Sequence, residues 1–214
     1  MVLAEESEKL RFTSLSESWR GGYPGNLIVE IIYPLGDNNL LNILIQLTLC
    51  NLTNYSYFNL AHAGNDDILG HVAGTNTSRM NQQISMPAHQ VEGLNVKGTA
   101  LNFRAERNID KDIDGEHELL KIGAGCEQSW VLDNHDGELG KGASLLDPRS
   151  SSLPEMFITQ LGIQIYIAKF LNNQVIGKQD KLYPRRSALY LEAQWHPKSN
   201  EALYCVHWPE RVYE

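Results

Sequence analysis

Between Asn51 and Leu60 the chain reads NLTNYSYFNL, and the residue types and spacing in this stretch suit the binding of a polyhydroxylated ligand. At the strand period of two, Asn51, Thr53, Tyr55, Tyr57 and Asn59 fall on one face, with Leu52, Phe58 and Leu60 on the other. The first face offers phenol rings that can stack on a sugar, flanked by short side chains that donate and accept hydrogen bonds. The second face is apolar and fits a core. An ordinary strand of a β-sandwich has the same alternation and is the plainer alternative. Two further polar side chains sit in strand-like surroundings. Ile163, Ile165 and Ile167 alternate with Gln164, Tyr166 and Ala168, and Leu189, Leu191, Ala193 and Trp195 alternate with Tyr190, Glu192 and Gln194. A lone strand glutamate or glutamine is ordinarily a solvated surface group, so Glu192 and Gln164 gain meaning only from their neighbours.

These groups need a scaffold of strands to position them. Leu27 to Tyr33 is rich in β-branched residues, Gly36-Asp37-Asn38-Asn39 is a turn signal, and Leu40 to Thr48 completes a hairpin. Stretches 108–117 and 134–152, rich in Asp, Gly, Asn and Ser, are expected as surface loops. Helical periodicity is scarce, and many short strands separated by turns point to an antiparallel sandwich.

Composition narrows the function classes. The 214 residues suit one domain with a real core. A net charge of -8 disfavours a nucleic-acid partner, which calls for basic patches. The cysteines, Cys50, Cys126 and Cys205, are odd in number and follow no metal-ligand spacing, so a reduced cytoplasmic setting is expected and no zinc site is implied; P-loop, dinucleotide and clustered His/Cys motifs are absent from the sequence, so neither a metal nor an organic cofactor is expected. The apolar stretch 40–50 is interrupted by Asn42, Gln46 and Thr48 and is far short of the roughly 20 residues that span a bilayer, so no membrane partner is expected.

NLTNYSYFNL closely resembles the TNHxYFNL signature of aldose 1-epimerases, the galactose mutarotases. Further segments follow in family order. Gly22-Tyr23-Pro24-Gly25 resembles GYPG, Ile68-Leu69-Gly70-His71 is similar to ILDH, and Gly98-Thr99-Ala100-Leu101-Asn102-Phe103-Arg104 to GTAFDFR. Gly125-Cys126-Glu127-Gln128 resembles GFDH, Thr159-Gln160-Leu161-Gly162-Ile163-Gln164 resembles TQPGVQ, and Leu191-Glu192-Ala193-Gln194 resembles LETQ.

The resemblance implies an all-β, galactose-mutarotase-like antiparallel β-sandwich, N-terminally truncated, with a tail over residues 1–13 and the C-terminal part of the family domain over 14–214. Loss of the preceding strands would leave exposed sheet edges through which the chain could self-associate. The implied reaction interconverts the α and β anomers of free hexoses such as galactose or glucose. Glu192 matches the family's catalytic base and Gln164 its sugar-binding glutamine. Glu127 stands at a substrate-binding aspartate and is one methylene longer, and Gln128 replaces the histidine after it. Tyr55 falls at the histidine that donates a proton to the ring oxygen. A phenol with an ordinary pKa near ~10, against ~6.5 for imidazole, donates a hydrogen bond readily but a proton poorly. The expected activity is therefore weakened or lost, and the alternative is a non-catalytic carbohydrate-binding relative. His62, His71 and His89 match none of the family's catalytic positions.

Overall fold

The computed structural model describes residues 2–6, 9–22, 24–34, 40–46, 52–62, 67–83, 90–116, 120–121, 127–133, 137–174, 176–177 and 180–194. The chain forms two compact units, Met1–Leu52 with Ser199–Glu214, and Thr53–Lys198. No helix among the described residues is long and apolar enough to cross a membrane.

The first unit is a four-stranded antiparallel sheet in chain order: β1 (Val2–Glu6), β2 (Lys9–Ser16), β3 (Leu27–Pro34) and β4 (Leu44–Gln46). The segment 1–13, expected as a tail, supplies β1 and much of β2. Its residues pair from Val2↔Thr13 to Glu6↔Lys9, and β2 continues along β3 from Lys9↔Pro34 to Ser16↔Leu27. The β3–β4 hairpin forms as its apolar pattern suggests, with Glu30↔Gln46 and Ile32↔Leu44; its turn lies outside the described residues. Between β2 and β3 the chain reverses through the GYPG segment. Gly22 and Gly25 have φ of +86° and +87°, backbone that only glycine adopts without strain, and Asn26 accepts a hydrogen bond from the Ser18 amide at 2.8 Å.

The second unit holds two antiparallel sheets. One runs β11 (Glu155–Ile158), β10 (Gly140–Leu146), β5 (Val72–Thr75), β8 (Arg107–Asn108). The other runs β13 (Leu189–Gln194), β12 (Gly162–Ile167), β9 (Glu127–Leu132), β6 (Thr77–Gln83), β7 (Gln90–Asn95). Ala73, Ala143, Leu145 and Ile158 from the first sheet meet Met80, Trp130, Ile163, Ile165 and Leu189 from the second in one buried cluster, which makes this unit a β-sandwich. Trp130 is fully buried at its centre, packs edge-on against Phe103 with centroids 6.0 Å apart, and donates its indole N–H to the Leu101 carbonyl at 3.2 Å.

Two expectations are corrected. Residues 134–152 are not all loop, because β10 runs through them between β11 and β5. Its small residues look like loop composition, yet they permit close packing: a Cβ on Gly142 would come within 3.0 Å of the Ile158 side chain. Residues 52–60 are not a ladder strand either. They are extended chain joined to β13 at one bridge, where Phe58 and Leu189 exchange backbone hydrogen bonds of 2.7 and 3.0 Å. The asparagines turn the chain instead of lining a strand face. Asn54 Oδ1 accepts from the Ser56 amide and Asn59 Oδ1 from the Ala61 amide, both at 2.9 Å, while Asn59 Nδ2 donates to the Ser187 carbonyl at 2.8 Å.

Truncating Trp130 removes the largest buried side chain and the partner of the Leu101 carbonyl. Trp130→Ala is expected to lower unfolding stability by about 3–5 kcal/mol, read from urea titration followed by circular dichroism. A loss below ~1 kcal/mol would show that this cluster is not the core.

Candidate functional site

The register of β12 and β13 creates the site. Ile163, Ile165 and Ile167 point into the core with Leu189, and Leu191 and Ala193 pack against it, so the intervening residues must emerge on the opposite face. Gln164 pairs with Glu192, Tyr166 with Tyr190, and Gly162 with Gln194. The pattern extends across the sheet, because Gln164 also pairs with Ser129 on β9, and Ser129 pairs with Asn81 on β6. Asn81, Ser129, Gln164 and Glu192 therefore form one polar row over four strands, with neighbouring members about 5 Å apart.

The row is well shielded. Glu192 is 2% exposed, Asn81 4% and Ser129 7%. Gln164 accepts a hydrogen bond from Gln194 Nε2 at 2.9 Å, which fixes its amide orientation. Burying a carboxylate on a sheet face costs several kcal/mol unless polar groups compensate, so its neighbours matter. Tyr190, two residues earlier on the same face, hydrogen-bonds Glu192.

Tyr190 is the hub of an aromatic cluster. It stacks on Tyr166 with centroids 4.6 Å apart and planes 20° apart. Tyr55 and Tyr57 meet it edge-on at 5.5 and 5.0 Å. The Phe58–Leu189 bridge brings these two rings over β13. Tyr55 and Tyr57 remain 60% and 50% exposed, so the cluster has a wet side as well as a buried carboxylate. Burial raises the Tyr190 phenol well above its ordinary range, and the nearby Glu192 carboxylate raises it further. Tyr55 and Tyr57 shift upward for the same reasons in the same order, burial first and Glu192 second. All three phenols are hydrogen-bond donors at neutral pH and resist ionisation.

Of the residues expected from sequence, Glu192, Gln164 and Tyr55 come together here. Glu127 opens β9, where its backbone pairs with Tyr166. Gln128 pairs with Ile165 and is buried toward the core side. His62 sits in a turn with φ of +80°, and His89 lies outside the described residues. Tyr190, Ser129 and Asn81 were not expected as site residues. The alternation around Glu192 already put Tyr190 on its face, whereas Ser129 and Asn81 depend on inter-strand register. Elsewhere in this unit a cavity of about 590 Å³ is lined by Asp67, Gly70, Pro148, Arg149, Pro184 and Arg185, and shares none of the residues of this face. Among the described residues no group of three or more His, Cys, Asp and Glu side chains could hold a metal ion.

This antiparallel sandwich presents a shielded carboxylate, an oriented amide and phenol rings on one sheet face. Residues 3–202 match the family model described as aldose 1-epimerase, and the chain belongs to that family. It is 30% identical over 205 residues to the galactose mutarotase of Homo sapiens, covering 92% of this chain and 58% of that protein. It is 28% identical over 190 residues to the aldose 1-epimerase of Haemophilus influenzae, covering 82% of this chain and 52% of that one. Among solved structures, a GalM/aldose epimerase homologue from C. elegans superposes with a TM-score of 0.74 at 21% identity, over 91% of this chain and 59% of the other. Galactose 1-epimerase from Lactobacillus acidophilus NCFM gives 0.72 at 19%, over 92% and 57%. The chain thus spans 52% to 59% of the length of these relatives.

His71 supports the aromatic segment from beneath. It is fully buried, and its Nε2 accepts the Leu60 amide at 3.1 Å, so a neutral ring carries its proton on Nδ1. Burial is the largest influence on its pKa and lowers it below the ordinary imidazole range. The folded state therefore binds this proton less readily than the unfolded chain. The stabilisation is fully present above the unfolded imidazole pKa and is lost as pH falls through it toward the folded value. Between pH 7 and pH 5 the urea midpoint of the wild type should drop by more than that of His71→Gln. Parallel drops in the two proteins would contradict this role.

Proposed function

We propose that this chain binds a free hexose, galactose or glucose, against the Glu192 face and interconverts its anomers, at a rate below that of relatives with an imidazole acid. The observation that carries this reading is the cross-strand pairing of Gln164 with a shielded Glu192 beneath an aromatic cluster. Mutarotation opens a cyclic hemiacetal. The Glu192 carboxylate takes the proton from the anomeric hydroxyl, a second group protonates the ring oxygen, and the C1–O5 bond breaks to give the open-chain aldehyde. Rotation about the C1–C2 bond and reversal of the proton transfers close the ring on the other face. Gln164 holds a sugar hydroxyl through its amide, and the tyrosines supply stacking surface and hydrogen-bond donors. Glu127 belongs to the same proposal as a ligand for a further hydroxyl.

The acid step is where this chain differs. Tyr55 is a phenol whose pKa is shifted further upward, so water or a hydrogen bond without full proton transfer must serve the ring oxygen. Removing a general acid costs about 10²–10⁴ in rate. The same feature favours a second reading, a carbohydrate-binding protein without catalysis.

Polarimetry of freshly dissolved α-galactose distinguishes them. The wild type is expected to speed the approach to equilibrium, Glu192→Gln to leave the spontaneous rate, and Tyr55→His to raise the wild-type rate at least about ten-fold. An accelerated rate that survives Glu192→Gln would remove Glu192 as the base. No acceleration by either the wild type or Tyr55→His would leave only the binding reading.

A further inference from the structure

Tyr55 and Tyr57 lie at 85° and 76° to Tyr190, so their ring planes stand steeply to the Tyr166–Tyr190 stack. Ring faces carry partial negative charge and attract cations. One ring of the cluster takes a cation on the side chain of this chain's own lysine: Lys169 Nζ lies 5.8 Å from the Tyr166 centroid and 5.0 Å from that of Phe170. Beside the rings stands a carboxylate that is 2% exposed, where weak screening strengthens its attraction for a positive charge.

We propose that the sugar this site selects is a hexose carrying an ammonium group next to its anomeric centre, a 2-amino-2-deoxyhexose. This rests on the reading of the Glu192 face as a free-hexose site and specifies its ligand. The anomeric hydroxyl and the C2 substituent are on adjacent carbons, so one carboxylate can receive hydrogen bonds from both. The ammonium group then lies against Glu192 with the faces of Tyr55 and Tyr57 beside it, and Gln164 remains available to a hydroxyl farther along the polar row. A neutral hexose makes the hydroxyl contacts and lacks both the ion pair and the cation–π contacts.

Calorimetric titration of the full chain at pH 6.5 with galactosamine, galactose and N-acetylgalactosamine tests this. Galactosamine is expected to bind about ten-fold more tightly than galactose. N-acetylgalactosamine, which keeps the nitrogen and loses the charge, should bind no more tightly than galactose. In Glu192→Gln the advantage of galactosamine should disappear. Equal binding of galactosamine and galactose, N-acetylgalactosamine matching galactosamine, or an advantage that survives in folded Glu192→Gln would each overturn the inference while leaving the hexose site standing. Failure of all three sugars to bind would overturn both together. The comparison among ligands decides the matter even where Glu192→Gln does not fold.

Discussion

Everything at the site depends on the register between β12 and β13. One face of this pair is committed to the core by Ile163, Ile165, Ile167 and Leu189, all nearly or fully buried. That commitment forces Gln164, Tyr166, Tyr190 and Glu192 onto the other face, in rows set by the Gln164↔Glu192 and Tyr166↔Tyr190 pairs. Because strand side chains alternate, a slip of one residue would drive Glu192 into the apolar cluster and turn Leu191 outward. The hydrophobic core thus holds the placement of Gln164 and Glu192 indirectly, by making every other register costly. Trp130 reinforces it by pairing with Ile163 while β9 presents Ser129 beside Gln164.

The second constraint is the shielding of Glu192. A carboxylate at this exposure needs polar and aromatic neighbours that tolerate its charge, and the tyrosines meet both needs. Tyr190 hydrogen-bonds the carboxylate and stacks on Tyr166, which leaves it little freedom. Tyr55 and Tyr57 arrive on a segment with few ladder bonds of its own, held by the Phe58–Leu189 bridge, the Asn59 amide on Ser187 and the His71 ring on Leu60. The face joins a sheet that fixes carboxylate and amide to a tethered strap that carries the exposed rings. The same partial burial, with the Glu192 charge, raises the Tyr55 phenol and makes it a poorer acid. In the proposed reaction, the setting of Glu192 thus works against Tyr55 as its proton-donating partner.

Much of this was legible in the sequence. The isoleucine alternation in 163–167 and the apolar alternation in 189–193 identify β12 and β13 and the face on which Gln164 and Glu192 emerge, because one buried face imposes a period of two. The family was legible from ordered motifs, above all NLTNYSYFNL and LEAQ. Other features were hidden for physical reasons. The asparagines of 51–60 read as a polar strand face, yet short amides bond to nearby backbone and turn the chain, and that choice depends on Ser187 being within reach. The small residues of β10 read as loop, since composition cannot show that Gly142 is needed for close approach to Ile158. The tail expected over 1–13 pairs in register with the next strand, an outcome set by long complementary ladders and not by any single residue. Ser129 and Asn81 enter the site only through register between strands distant in sequence.

A crystal structure of the chain soaked with galactose tests the central claim most directly. The account predicts density for the sugar on the β12–β13 face, with the anomeric hydroxyl within hydrogen-bond distance of the Glu192 carboxylate and the Gln164 amide on a neighbouring hydroxyl. Sugar bound instead among Asp67, Arg149 and Arg185, with the Glu192 face unchanged, would contradict it.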